Sequence, residues 1–150
     1  MTTVTEKNTA TLVHLSTLTQ YFIPLGNYFF PIIIWAFRKD KSEFVDYNGK
    51  QTLNFQLSML LYSLLLAVVA IPSFLFALFN TITFDQLEAG NFEFEQLFSG
   101  NDSGLLTVAA TALVVFCTLK VVEFFLIIYA AVKASNGENY RYPMSISFLR

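Results

Sequence analysis

Three long apolar stretches, at residues 12–37, 53–79 and 105–132, confine nearly all the charge of this 150-residue chain to the short stretches around them. Each exceeds the roughly 20 apolar residues that a membrane-crossing helix needs. A soluble chain of this length would need a polar shell, but 55% of the residues are hydrophobic and only 13% are charged. The expected fold class is therefore all-α, an integral membrane helical bundle built as a single membrane domain over residues 1–150, with the lipid bilayer as its first partner.

The same counts exclude several functions. A net charge of −2 leaves no broad basic surface, so nucleic acid is not an expected partner. Cys117 and His14 are single residues of their kinds on different segments, which rules out an internal disulfide framework and a zinc site built from His and Cys. Nucleophile elbows, phosphate-binding loops, dinucleotide glycine patterns and paired-histidine motifs are all missing, so no catalytic residue and no cofactor are expected. The polar start of the chain leads into an apolar run without a small-residue cleavage signature, and the first segment is expected to stay in the mature protein.

The first apolar segment is interrupted by Pro24, Gly26 and Pro31. A break at Pro24–Gly26 follows, because proline removes a backbone donor and crowds the preceding turn. Two geometries are open: one kinked crossing helix, or two half-helices that enter and leave on the same side. The second segment carries Pro72 near its far end, whereas the third has no Pro or Gly and should be continuous, ending at the stop signal Asn136-Gly137. Between them, residues 80–104 hold Asp85, Glu88, Glu93, Glu95 and Asp102 interleaved with Phe84, Phe92, Phe94 and Phe98, the pattern of an acidic, Phe-rich loop resting at the membrane interface. Tyr140-Arg141-Tyr142-Pro143 suits the headgroup region, and residues 145–149 partly alternate, as an extended segment would.

Lys and Arg number four in loop 38–50, none in loop 80–104 and three from Lys133 onward. The positive-inside rule then puts loop 38–50 and the C-terminal tail in the cytoplasm and loop 80–104 outside. Three crossings would place the N-terminus outside; a re-entrant first segment would return it to the cytoplasm.

Lys120 and Glu123 are the least expected residues. Each costs about 2.5–3.5 kcal/mol at a bilayer centre, so the two, one helical turn apart, should pair away from lipid. A packing pair, a contact with a partner helix and an ion or proton relay all satisfy that demand. Two polar stripes accompany them, His14, Thr17 and Tyr21 on the first segment and Gln51, Asn54, Ser58 and Tyr62 on the second, and interhelical hydrogen bonding explains such stripes more simply than a pore lining does.

Several ordered motifs, His14-Leu15-Ser16, Ile23-Pro24-Leu25-Gly26-Asn27, Trp35, Lys39-Asp40-Lys41-Ser42, Phe44-Val45-Asp46, Asn48-Gly49-Lys50 and Leu53-Asn54-Phe55-Gln56, with Asn136-Gly137-Glu138 and Tyr140-Arg141-Tyr142-Pro143 downstream, resemble the DUF4870 family, grouped with Tic20-like small membrane proteins. The resemblance implies a multi-pass protein of a bacterial cytoplasmic membrane, connected with protein translocation, and a cytoplasmic-face motif in which Asp46, Asn48 and Arg141 make polar contacts. The acidic loop, Lys120 and Glu123 depart from that pattern. The function expected on these grounds is that of a noncatalytic subunit or scaffold of a membrane assembly, with a homo-oligomer or a membrane protein as partner; the alternative is a small ion or solute transporter or channel that uses the Lys120–Glu123 pair.

Overall fold

The computed structural model describes residues 2–81 and 103–149. The described residues form four helices, α1 (Val4–Ser16), α2 (Gly26–Arg38), α3 (Glu43–Thr81) and α4 (Ser103–Ser135), with short 3-10 turns at Thr17–Tyr21 and Lys39–Lys41. The described residues form no sheet, and the architecture is all-α. Among the described residues two helices are long and apolar enough to cross a membrane, Glu43–Phe79 within α3 and Ser103–Ser135. Only 6% and 17% of their most apolar stretches are buried, the opposite of the core helix of a soluble protein.

Segment 12–37 is not one helix. α1 begins at Val4, inside the polar start of the chain, because Thr3 and Glu6 form a capping box: the Thr3 hydroxyl accepts from the Glu6 amide at 3.3 Å, and the Glu6 carboxylate accepts from the Thr3 amide at 2.6 Å. The break falls where Pro24 and Gly26 place it. The Gly26 amide donates to the Ile23 carbonyl at 3.0 Å, and Leu25 adopts φ 62°, ψ 8°, so residues 23–26 make a type II turn with proline at its second position. α1 and α2 pack against each other as a hairpin. α2, at 13 residues, rises about 20 Å, less than the roughly 30 Å of a hydrocarbon core.

The polar loop 38–50 is also shorter than its composition suggests. α3 starts at Glu43, with the Val45 amide donating to the Ser42 hydroxyl at 3.4 Å and Glu43 and Asp46 in the first turn, where negative charge suits the helix N-terminus. Asn48 and Gly49, a turn signal in isolation, lie inside this helix because tertiary partners outweigh their local preference. α4 ends as its sequence indicates: Gly137 takes φ 83°, its amide donates to the Ala134 carbonyl, and the Glu138 amide donates to the Lys133 carbonyl, a Schellman motif. The acidic, Phe-rich loop expected at 80–104 lies, from residue 82 to 102, outside the described residues.

The chain divides into two compact units, Met1–Leu61 with Lys120–Arg150, and Tyr62–Leu119. In the first, Val13, Val45, Phe55, Ile127 and Tyr142 surround an interior unusually rich in buried polar groups. The second is packed through small side chains: Ala77 meets Leu106, while Ala109 and Ala112 are buried, so the helix backbones approach closely.

Candidate functional site

The buried polar groups of the first unit form four sets. The first is built on His14, which is fully buried. Its Nε2 lies 3.0 Å from Asn48 Oδ1, and its Nδ1 lies 2.9 Å from the Tyr142 hydroxyl and 2.8 Å from the Thr52 hydroxyl. Asn48 Nδ2 donates to the Phe44 carbonyl at 2.8 Å, which fixes the amide orientation and leaves Oδ1 as acceptor toward the ring. His14 is thus a neutral imidazole with its proton on Nε2, accepting at Nδ1. Burial pushes its pKa down to about 4, opposed in part by the bond to Asn48, and burial likewise raises that of Tyr142. Tyr142 stacks on Phe55 with ring centroids 4.1 Å apart.

The second set holds the C-terminal tail. Asn54 Oδ1 accepts from the amides of Phe148 at 3.0 Å and Leu149 at 2.7 Å, and its Nδ2 donates to the Leu149 carbonyl at 3.0 Å. Ser58 Oγ donates to the Asn54 carbonyl and accepts from the Ile146 amide at 2.8 Å. One helical stripe therefore acts as a ladder for an extended backbone. In the third set Asn27 Nδ2 donates to Gln56 Oε1 at 2.7 Å, with Gln56 fully buried. The fourth is a closed triangle: Lys120 Nζ donates to Glu123 Oε2 at 2.8 Å and to Gln20 Oε1 at 3.3 Å, and Gln20 Nε2 donates to Glu123 Oε1 at 3.1 Å. Glu123 is fully buried.

A fifth cluster faces outward at the start of α3. Trp35 Nε1 donates to Asp46 Oδ1 at 2.8 Å, Asp46 pairs with Lys50 at 2.7 Å, and Lys39 Nζ sits 5.1 Å from the centre of the Trp35 ring. Gly49 lets the indole lie against the backbone of α3, since a Cβ there would fall 2.2 Å from Trp35 Cδ1.

Among the residues singled out in the sequence, His14 and Asn48 come together, as do Asn54 with Ser58 and Lys120 with Glu123. Asp46 belongs to the Trp35 cluster, Arg141 is exposed, and Tyr62 belongs to the other unit. Thr52, Tyr142, Asn27, Gln56 and Gln20 complete the sets without having been singled out as site residues. Thr52 and Gln56 follow Asn48 at helical spacing, so α3 itself carried that signal; Gln20 and Tyr142 meet their partners across the chain and gave none. Among the described residues no three His, Cys, Asp or Glu side chains gather as metal ligands.

A family model described as the magnetosome magnetite crystal formation protein family matches residues 5–149. No curated protein and no solved structure matches the chain. The match overturns the resemblance to DUF4870 and Tic20-like proteins, and the link with protein translocation loses the support that came with it. The motifs that carried the resemblance are positions the fold itself demands: Gly49 under Trp35, Asn48 on His14 and Gly137 at a helix end. The chain belongs to the magnetosome magnetite crystal formation protein family and is a noncatalytic, multi-pass, integral bacterial membrane protein.

Proposed function

We propose that this protein takes part in forming magnetite crystals as a noncatalytic component of the magnetosome membrane, with α3 and α4 as its two crossings. The family match over residues 5–149 is the observation that carries this reading. Two crossings put the basic residues Arg38, Lys39, Lys41 and Lys50, the α1–α2 hairpin and the C-terminal tail on the cytoplasmic side, and residues 82–102 on the other. Residues 80–104 carry five carboxylates and no Lys or Arg, and such a stretch concentrates cations around it. The mineral-forming side of the membrane is, on this reading, the side of that acidic stretch.

The Lys120–Glu123–Gln20 triangle serves packing rather than transport: each carboxylate oxygen of Glu123 already accepts a bond, and the carboxylate is buried. The test of the function is genetic. Removing the gene, or replacing Asp85, Glu88, Glu93, Glu95 and Asp102 together by Asn or Gln, is expected to change the size or shape of the crystals in electron micrographs at unchanged protein level for the charge variant. Normal crystals in the deletion strain would refute the role in crystal formation; normal crystals in the charge variant alone would refute only the part given to the acidic stretch.

A further inference from the structure

The turn joining α1 to α2 exposes a continuous apolar tip: Phe22 is 87% exposed, Leu25 58%, Tyr21 52% and Ile23 48%. Water would penalise that surface, and within the first unit no side chain covers it to the extent a core residue is covered. The apolar exposure continues down α2 through Phe29, Phe30, Ile32, Ile33 and Phe37, and stops where Arg38, Lys39 and Lys41 begin.

The two ends of this hairpin lie side by side. Thr3, Thr5, Glu6 and Thr9 at the start of α1 line one pocket with Arg38, Lys41 and Ser42 beyond the end of α2. The hairpin thus leaves from the level at which it enters. α2 reaches about 20 Å over its 13 residues, enough to fill one leaflet and its headgroup region but not both. Positive charge is gathered at its base and is absent from its tip, which complements the anionic headgroups of the leaflet it enters.

We propose that the α1–α2 hairpin is a wedge inserted into only the leaflet that bears Arg38, Lys39 and Lys41, and that it makes the protein prefer membranes in which that leaflet is the convex one. The proposal rests on the two-crossing reading above. Its physical basis is leaflet area. Apolar side chains inserted from one side expand that leaflet alone, and bending the membrane with that leaflet outward relieves the mismatch; insertion of this kind is curvature-sensitive for interfacial helices. The partner is an anionic phospholipid leaflet, and the preferred form is a narrow tube or small vesicle whose outer face carries the basic residues.

The test uses the full chain in giant vesicles of phosphatidylcholine and phosphatidylglycerol, with Cys117→Ala and Ser147→Cys labelled by an impermeant dye so that only outward-facing basic sides are seen. When a tube is pulled from such a vesicle, the ratio of protein to lipid signal should be several-fold higher on the tube and should rise as the tube narrows. Phe22→Ser with Leu25→Ser should abolish the enrichment, while Phe22→Leu should keep it. An environment-sensitive fluorophore on Phe22→Cys, in the Cys117→Ala chain, should be quenched by lipids spin-labelled along the acyl chain. A quenched fluorophore without enrichment on tubes overturns the curvature preference and leaves the hairpin in the leaflet. A fluorophore in water overturns the re-entrant hairpin itself, and the proposal with it. Should the double serine variant fail to keep its helix content by circular dichroism, the dependence of the native protein on tube radius decides alone: a flat dependence overturns the proposal.

Discussion

A methyl group at position 49 would meet the Trp35 side chain at 2.2, 2.6 and 3.0 Å, with no flexible end to yield. Gly49→Ala should therefore cost about 1–3 kcal/mol, the range for overpacking, and displace the indole from Asp46. Trp35 is the only tryptophan, so its fluorescence in detergent should shift in this variant together with the thermal midpoint. His14 carries the second prediction at this scale. Its pKa falls from 6.5 to about 4 on folding, so between those values the unfolded chain takes up a proton that the folded chain refuses. Stability is fully present above pH 6.5 and declines by about 3 kcal/mol as pH falls to 4, levelling below it. Denaturation of detergent-solubilised protein against pH should show this slope, and His14→Gln should flatten it. The stripe containing His14 was legible in the sequence; its partner Tyr142 was not. Flanked by Arg141 and Pro143, Tyr142 has the context of a headgroup residue, yet it is buried against Phe55, because the turn after Gly137 brings the tail back beneath α1 and α3.

At the scale of elements, the sequence signals that held were those written in backbone chemistry. Pro24 and Gly26 broke the first segment, and Asn136-Gly137 stopped α4. The capping box of Thr3 and Glu6 was equally readable but lay in a stretch that its polarity presented as a tail. The start of α3 went the other way: Asn48-Gly49 has turn chemistry, yet it lies within a continuous helix where Asn48 bonds His14 and Gly49 receives Trp35. α4 carries the Lys120–Glu123 pair, whose prediction follows from the triangle with Gln20. Lys120→Met should destabilise by about 3–5 kcal/mol, since it leaves a buried carboxylate without its cation, whereas Lys120→Met with Glu123→Met should lie near the wild type. Thermal unfolding of both variants in the same detergent measures the difference. A double variant as unstable as the single one would show that the triangle stabilises the unit beyond mutual neutralisation.

For the whole molecule, membrane insertion followed from the apolar lengths, while the count of crossings did not, because a proline-broken segment of 26 apolar-leaning residues has the same composition whether it crosses or returns. In a host that places the protein in its cytoplasmic membrane, cysteine labelling of intact cells after Cys117→Ala should find only Gly90→Cys accessible to an impermeant reagent, with Thr5→Cys, Ser42→Cys and Ser147→Cys protected. Labelling at Thr5 would restore a third crossing, and labelling at Ser42 but not Gly90 would invert the orientation. The tail bonded to Asn54 and Ser58 also sets an order of events during synthesis. Asn54 leaves the ribosome some ninety residues before Phe148 and Leu149, whose amides it binds across sequence separations of 94 and 95. Both long helices are translated before those amides exist, so this closure comes after them. A chain cut short just beyond Ser135 would hold both long apolar helices and an unfinished interior, its His14 without Tyr142. Quality control that monitors the membrane insertion of helices would pass such a chain; only a sensor of exposed polar side chains would stop it.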